Sequence, residues 1–290
     1  TRLLLSGGDQ IAIMVKSERS NSKPIESDNF RWYNYAQEQY RTWVSSGWQK
    51  WAIKATAPSY DPPKTKHIRR VILAAIKQTN VSADMIASYL INARPWQSDS
   101  RIAAKISYLI LQLAQYERNL DRLCSFSGQI QQISDFYTQH PPTKKPWGDT
   151  ALFLGHILKM KLHFHQTFPC IFEGNLAYGS RELPSSIKES IAQYTKDLTD
   201  ATSSFIQIIS QATKFDNYPM IVMSQPAIDE VSHSYLLLKQ LDQSAADELG
   251  HALELLTFCK QIVYLESSVE YPNESSNPPL PRFTHQSSSL

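Results

Sequence analysis

The amino-acid sequence predicts an all-α protein, a helical bundle that extends into a superhelical solenoid of antiparallel helices. Apolar residues recur at helical spacing along several long segments, and prolines separate these segments from one another. No segment shows the alternation of apolar and polar residues that a half-buried strand requires. Of the 290 residues, 42% are hydrophobic and only 9 are glycine, which favours a large helical core. Long amphipathic helices joined by short turns must bury their apolar faces against neighbouring helices.

Three kinds of residue place the individual helices. Two segments show the clearest helical spacing: Ile102, Ile106, Leu109, Ile110 and Leu113 in one, and Leu249, Ala252, Leu253, Leu256, Cys259 and Val263 in the other. Prolines are expected where helices stop or start: Pro62-Pro63, Pro95, Pro141-Pro142, Pro146, Pro169, Pro184 and Pro219. Asp84, Asp99 and Ser185 are predicted N-terminal caps or first-turn residues. This punctuation predicts roughly eight or nine helices.

Composition divides the chain into three parts. Residues 1–40 are predicted to be a polar, partly disordered N-terminal extension, because they show no apolar periodicity. Residues 41–270 form the predicted helical domain. Residues 271–290 are rich in proline and serine and are predicted to be an extended tail.

Three features predict a cytoplasmic protein that touches membranes only at their surface. The cysteines Cys124, Cys170 and Cys259 are few, odd in number and far apart, as in a protein from a reducing compartment. The longest apolar runs are far shorter than the roughly 20 residues that a membrane span needs. The first residues, TRLLLSGGDQ, lack the continuous apolar region of a signal peptide.

The most informative segment is a basic cluster that precedes and enters one predicted helix. It contains five cations against one acid, Asp61: Lys54, Lys64, Lys66, Arg69 and Arg70. The cluster therefore carries +4 in a chain of net charge +2, which leaves −2 for all other residues. Pro62-Pro63 place Lys64 at or just before a helix start, where free backbone N–H groups and the helix dipole attract anions. These features predict a receptor for phosphate groups, and the alternative is a solvated surface face.

The order of residues in this cluster resembles the signature of ANTH domains from clathrin-assembly and huntingtin-interacting proteins. That signature reads approximately Lys-Ala-Thr or Lys-Ala-Ile, then seven residues, then Lys-x-Lys-His. In this chain, Lys54-Ala55-Thr56 is followed at the same spacing by Lys64, Lys66 and His67. The resemblance covers roughly residues 45 to 283, and the first ~40 residues have no counterpart in it.

Two further features favour the huntingtin-interacting-protein branch of the family. Arg69 stands where that branch has an arginine and the clathrin-assembly branch typically has an acid. The segment Ile157–His165, with Pro169 and Phe172–Leu176 after it, resembles the branch's YLxLKLxFH and PxFxGNL patterns. The stretch between Arg94 and Leu120 departs from the family pattern.

The resemblance implies a non-enzymatic adaptor that binds phosphatidylinositol 4,5-bisphosphate in clathrin-mediated endocytosis and links the membrane to coat and actin machinery. The implied lipid-binding residues are Lys54, Lys64, Lys66 and His67, with Arg69 and Arg70 widening the site. The implied partners are this phosphoinositide, the anionic plasma-membrane surface at endocytic coated pits, an epsin-type ENTH domain and clathrin coat components. No cofactor is implied.

Other interpretations of the basic cluster remain open. A helical scaffold could use the same patch to bind an acidic protein in place of a lipid. Nucleic acid is disfavoured as a partner, because the patch is single and the net charge of the chain is only +2. Trp43, Trp48 and Trp51 precede the cluster, and insertion of these rings into the membrane interface is a further alternative.

No metal or catalytic site is predicted. His163 and His165 are two residues apart, so on a helix their side chains face different ways. The segments Glu230–His233 and Glu248–His251 repeat the Glu-x-x-His pattern of a di-metal bundle, but glutamates at suitable positions on two further helices are lacking. The chain also lacks a P-loop, a nucleophile elbow and a Cys-x-x-Cys motif.

Overall fold

The computed structural model describes the central part of the chain. The described residues are 40–42, 45, 47–117, 120–140, 145–178, 183, 186–211 and 214–250. The predicted tail, nearly all of the predicted N-terminal extension, Trp43, Ser185 and Cys259 lie outside these residues. The second periodic segment also lies outside them after Leu249.

The described residues form helices joined by short turns. Nine helices have defined bounds: α1 Gly47–Ala55, α2 Thr65–Lys77, α3 Ala83–Ala93, α4 Ser100–Tyr116, α5 Asp121–Ser125, α6 Ser127–Gln139, α7 Lys145–Thr167, α8 Ile187–Gln211 and α9 Lys214–Leu241. Residues 243–250 are helical as well. The only β-type pairing among the described residues is an isolated antiparallel bridge between Phe172 and Tyr178. The all-α prediction is confirmed.

Helix α7 lies at the centre of the packing, where it contacts α4, α6, α8 and α9. The rings of Phe153 and Phe205 stack with centroids 4.0 Å apart, and those of Phe164 and Tyr194 stack at 4.5 Å. Because rising numbers on α7 meet falling numbers on α8, the two helices are antiparallel. Helix α9 packs mainly on α8, as expected of a bundle that continues into stacked helices. No helix among the described residues is long and apolar enough to cross a membrane.

The predicted apolar stripe of the fourth helix faces the core. Its members are all buried: Ile102, Ile106, Leu109, Ile110 and Leu113. Asp99 is the N-cap of α4, and its side chain accepts a hydrogen bond of 3.0 Å from the backbone N–H of Arg101. Asp84 lies in the first turn of α3. These residues therefore begin and orient the helices as predicted.

Most of the described prolines mark helix boundaries, but the prediction for Pro219 is wrong. Pro62-Pro63 precede α2, Pro95 follows α3 and Pro169 follows α7. Pro219 instead lies inside α9, as does Pro226. A proline in a helix interior removes one backbone hydrogen bond and strains the preceding turn. Burial of this helix against α7 and α8 outweighs that local cost, which periodicity and propensity do not register.

A buried polar network joins the central helices. The Lys161 ammonium donates hydrogen bonds to Glu230 Oε1, at 2.7 Å, and to the carbonyl of Gly174, and both charged side chains are 0% exposed. Tyr194 Oη donates to Glu230 Oε1 at 2.9 Å, and Gln115 Nε2 donates to Glu230 Oε2 at 3.1 Å. Burial lowers the pKa of Lys161, and the charge of Glu230 opposes that shift. Helices α4, α7, α8 and α9 and the turn after α7 therefore meet at this network, in which Lys161 and Gly174 have structural roles.

Gly174 allows the turn after α7 to approach α4 closely. Its backbone N–H donates a 2.8 Å hydrogen bond to the carbonyl of Glu117. A Cβ atom at this position would lie 1.8 Å from the carbonyl oxygen of Ala114 and 2.8 Å from that of Glu117. Both obstacles are backbone atoms, so a larger residue can be accommodated only if the turn moves away from α4.

Gly174→Ala is expected to lower the free energy of unfolding by at least about 3 kcal/mol, because the turn and the Lys161 network must shift together. Gly128→Ala is the matched control, since a Cβ there meets nothing within 4 Å. It is expected to be neutral or to stabilise α6 by up to about 1 kcal/mol. Urea unfolding of both variants is the measurement. Equal effects of the two substitutions would contradict the close approach.

Candidate functional site

The basic cluster lies where α1 ends and α2 begins. Lys54 is in the last turn of α1, and Lys64 is the extended N-cap residue of α2. The backbone N–H of His67 donates to the carbonyl of Lys64 at 2.8 Å. The amides of Thr65 and Lys66 are in the first turn, so they have no intrahelical acceptor. Cationic side chains and amides at a helix N-terminus therefore meet at one place, as a phosphate receptor requires.

A half-buried tryptophan packs against three residues of the cluster. The ring of His67 stacks on that of Trp51, with centroids 5.4 Å apart and an interplanar angle of 22°. The guanidinium carbon of Arg70 lies 3.8 Å from the centroid of the same ring, and Lys54 Nζ lies 5.2 Å from it. These distances suit cation–π interactions. Trp51 is therefore packed within the protein and holds the cluster together.

The electrostatics of His67 show that four cations converge. Its side chain is buried, with the residue 8% exposed, and Nδ1 has no hydrogen-bond partner among the described residues. The pKa of His67 is lowered from 6.5 to about 4, first by burial and then by the charges of Lys66, Lys54, Lys64 and Arg70. At neutral pH the imidazole is therefore uncharged, with four positive side chains close to it.

The structure places Lys54, Lys64, Lys66 and Arg70 around the buried side chain of His67. Arg69 lies on the same helix, three residues after Lys66, so the two side chains are neighbours on its surface. Within the described part of the chain, Lys54, Lys64, Lys66 and Arg70 form no ion pair with an acid. No acid in that part of the chain neutralises their charges.

Cations from α3 and α4 hold the loop that joins the two halves of the cluster. Arg94, at the end of α3, donates from Nη2 to the carbonyl of Thr56 at 2.8 Å and from Nε to Thr56 Oγ1 at 3.0 Å. Lys105 Nζ donates to the carbonyls of Ala57 and Ser59, both at 2.8 Å, and to Ser59 Oγ at 2.9 Å. Thus buried cations bind successive residues of the α1–α2 loop, residues 56–64.

A third cation, Arg101 on α4, lies over the ring of Tyr60 in the same loop, with 4.8 Å between its guanidinium carbon and the ring centroid. Arg101 also forms an ion pair with Asp99. Sequence reasoning missed all three cations, because isolated charges on a helix are normally solvated. A signal existed for Lys105: its position places it on the apolar stripe that contains Ile102 and Ile106.

The histidines and the glutamate considered for metal binding do not form a common site in the described part of the chain. His163 is exposed and His165 is buried, so the two do not face a common site. Glu230 is paired with Lys161. Among the described residues, no group of three or more His, Cys, Asp or Glu side chains is arranged to hold a metal ion. His251 lies outside the described residues.

Comparisons with known proteins yield a likeness at the level of the chain trace. No protein-family model matches the chain, and no curated protein matches it. The structure is similar to the ENTH domain from epsin-2 in complex with phosphatidylinositol 4,5-bisphosphate, with a TM-score of 0.49 at 17% identity, over 82% of this chain and 98% of that one. It is also similar to the endocytic adaptor complex AENTH, with a TM-score of 0.48 at 16% identity, over 76% and 91% of the respective chains. At these values the likeness by itself assigns neither a family nor a ligand to this chain.

The lowered pKa of His67 predicts a specific pH dependence of stability. Between pH 6.5 and about 4, the unfolded chain binds a proton at this residue and the folded chain does not. The free energy of unfolding should therefore fall as the pH drops through this window. His67→Phe should reduce that fall, since Phe can stack on Trp51 without titrating. Urea unfolding of both proteins above and inside the window tests this, and identical pH profiles would contradict it.

Proposed function

We propose that this chain is a membrane adaptor that binds phosphatidylinositol 4,5-bisphosphate in clathrin-mediated endocytosis. It works as a peripheral membrane protein on the cytoplasmic face of the plasma membrane, at coated pits, and links the membrane to coat and actin machinery. The function is binding, with no catalytic step. The observation that carries the proposal is the convergence of Lys54, Lys64, Lys66 and Arg70 around His67 at the start of α2.

The chemistry of the site suits a ligand with several phosphates. Lysine ammonium groups are compact charges on flexible side chains, so Lys54, Lys64 and Lys66 can approach neighbouring phosphates from different directions. The first-turn amides of α2 add hydrogen-bond donors at the positive end of the helix dipole. The buried, uncharged imidazole of His67 lies among these cations and leaves their charges to the ligand.

The expected affinity of a single copy is modest. Each basic residue near an anionic membrane contributes about 1 kcal/mol, and these contributions are weakened by salt. Four cations together with first-turn amides therefore favour a reversible membrane contact. Several copies in one coat would raise the apparent affinity through their effective concentration.

We further propose that an epsin-type ENTH domain shares the lipid with this chain and bridges neighbouring copies, alongside clathrin coat components. The support is the resemblance of the basic signature to ANTH domains, whose members act in such coats. A lipid-dependent pull-down with a purified ENTH domain addresses this partner directly. Recovery of no complex in the presence of the lipid would remove it from the proposal.

Charge reversal in the first turn of α2 tests the lipid proposal. The native chain should pellet with phosphatidylcholine vesicles that contain phosphatidylinositol 4,5-bisphosphate and should stay in solution with phosphatidylcholine alone. Lys64→Glu/Lys66→Glu should abolish pelleting, because it replaces two attractive charges by two repulsive ones. Co-sedimentation at low salt is the measurement.

The matched control is Lys188→Glu/Lys196→Glu, which changes the net charge equally at two exposed positions on α8. This control should pellet like the native chain. Equal loss in both variants would show non-specific attraction. Equal binding of other phosphoinositides, together with capture of acidic proteins, would favour the helical scaffold whose basic patch meets an acidic protein.

Single substitutions in α2 distinguish its two adjacent arginines. Arg70→Ala should weaken binding to the same vesicles about fivefold, as expected for the loss of about 1 kcal/mol. Arg69→Ala should weaken it by less than about twofold, because Arg70 is the arginine that packs on Trp51 beside Lys54 and His67. Titration of vesicles against each variant is the measurement. A larger effect of Arg69 would place that side chain in the site.

A further inference from the structure

We infer that Arg94, Arg101 and Lys105 are positioning residues of the phosphate site, which hold the α1–α2 loop so that the two halves of the site converge. We call these three residues the loop clamp. They come from the end of α3 and from α4, outside the basic signature. This inference rests on the proposed function, because it explains how the site is assembled.

The need for a clamp follows from the length of the loop. Nine residues, Thr56 to Lys64, connect the end of α1 to the start of α2. An extended segment of this length could span about 30 Å, whereas the cations at its two ends act on one imidazole. The loop contains Pro58, Pro62 and Pro63, which lack backbone donors, so it has few N–H groups for its own carbonyls. One internal bond is made, from the Ser59 N–H to the Ala57 carbonyl at 2.8 Å. The conformation of the loop, together with the packing of α1 on α2 through Trp51, therefore decides whether Lys54 meets Lys64 and Lys66.

The clamp supplies those partners in chain order. Arg94 binds Thr56 through both its carbonyl and its hydroxyl. Lys105 then binds the carbonyls of Ala57 and Ser59, and Arg101 lies over the ring of Tyr60. Thr56 is the third residue of the Lys-Ala-Thr triplet and is 0% exposed, and in this chain it accepts both hydrogen bonds from Arg94.

Lys105 is an unusual residue for a purely structural role. It is 1% exposed, and in the described part of the chain it has no carboxylate within ion-pair distance. Burial, followed by the charge of Arg101, lowers its pKa to about 7, against the weaker opposing effects of Asp61 and Asp99. Its ammonium lies 5.3 Å from the ring centroid of Trp147, and all its hydrogen bonds to described residues go to the loop. A buried charge without a counter-ion destabilises a fold, so its benefit is expected in the loop.

The second buried lysine provides the contrast. Lys161 has a carboxylate partner, Glu230. Removing the lysine charge would leave that buried carboxylate with its neutral donors but without this cation. The same substitution at the two positions should therefore have opposite consequences. Lys105→Met should reduce lipid binding and spare stability, whereas Lys161→Met should reduce stability and spare the lipid affinity of the folded protein.

The experiment uses the full chain and vesicles of phosphatidylcholine with or without phosphatidylinositol 4,5-bisphosphate. Lys105→Met should weaken binding about tenfold, because the loop must then be ordered during binding. Hydrogen exchange at the backbone amides of Ala57, Ser59, Tyr60 and Asp61 should become faster, and the urea midpoint should be unchanged or higher. Lys105→Arg should recover part of the binding, since it restores the charge and the donors.

The outcomes separate this inference from the proposed function. If Lys105→Met binds vesicles and exchanges its loop amides like the native chain, the clamp is overturned. If it loses binding only in proportion to lost stability, as Lys161→Met would, the positioning role is also overturned. If the native chain itself does not bind the phosphoinositide vesicles, the proposed function fails, while the exchange at residues 57–61 still decides whether Lys105 holds the loop.

Discussion

The buried ion pair between Lys161 and Glu230 is the interaction on which the rest of this fold depends. Burying either charge alone would cost several kcal/mol, so α7 and α9 must meet at the register that pairs them. Tyr194 and Gln115 bond the same carboxylate, and the Gly174 carbonyl bonds the same ammonium. One charge pair thereby sets the relative positions of α4, α7, α8, α9 and the turn after α7. Such a pair contributes more to the choice of one arrangement than to net stability.

The two buried lysines illustrate different uses of the same side chain. Lys161 has an acid as partner and serves the packing of the helices. Lys105 has backbone carbonyls as partners and serves a loop. Carbonyls satisfy the hydrogen bonds of an ammonium but do not neutralise it, which explains why burial moves the pKa of Lys105 to about 7. Lys105 thus connects the core of the bundle to the candidate phosphate site, because its buried ammonium bonds the loop between the two halves of that site.

The candidate site combines local and non-local contributions. Pro62-Pro63 and the start of α2 are local features, and they present Lys64 and Lys66 with free amides. The approach of Lys54 and Arg70 depends on the packing of α1 against α2 through the ring of Trp51. His67 is on α2 and stacks on Trp51 of α1. Its pKa therefore depends both on the packing of the two helices and on the surrounding charges.

The sequence by itself determined the helical class, the buried stripe from Ile102 to Leu113, the cap at Asp99 and the position of the basic cluster. Each of these depends on residues within one or two helical turns, where spacing and side-chain chemistry suffice. The sequence misplaced Pro219, because burial of α9 against other helices outweighs a local helix breaker. Only the tertiary structure decided that Lys54, His67 and Arg70 gather on Trp51 and that Lys105 is buried against the loop. Both outcomes depend on which distant segments pack together. From sequence alone a charged side chain is expected at the surface, and its burial shows only when its spatial neighbours are known.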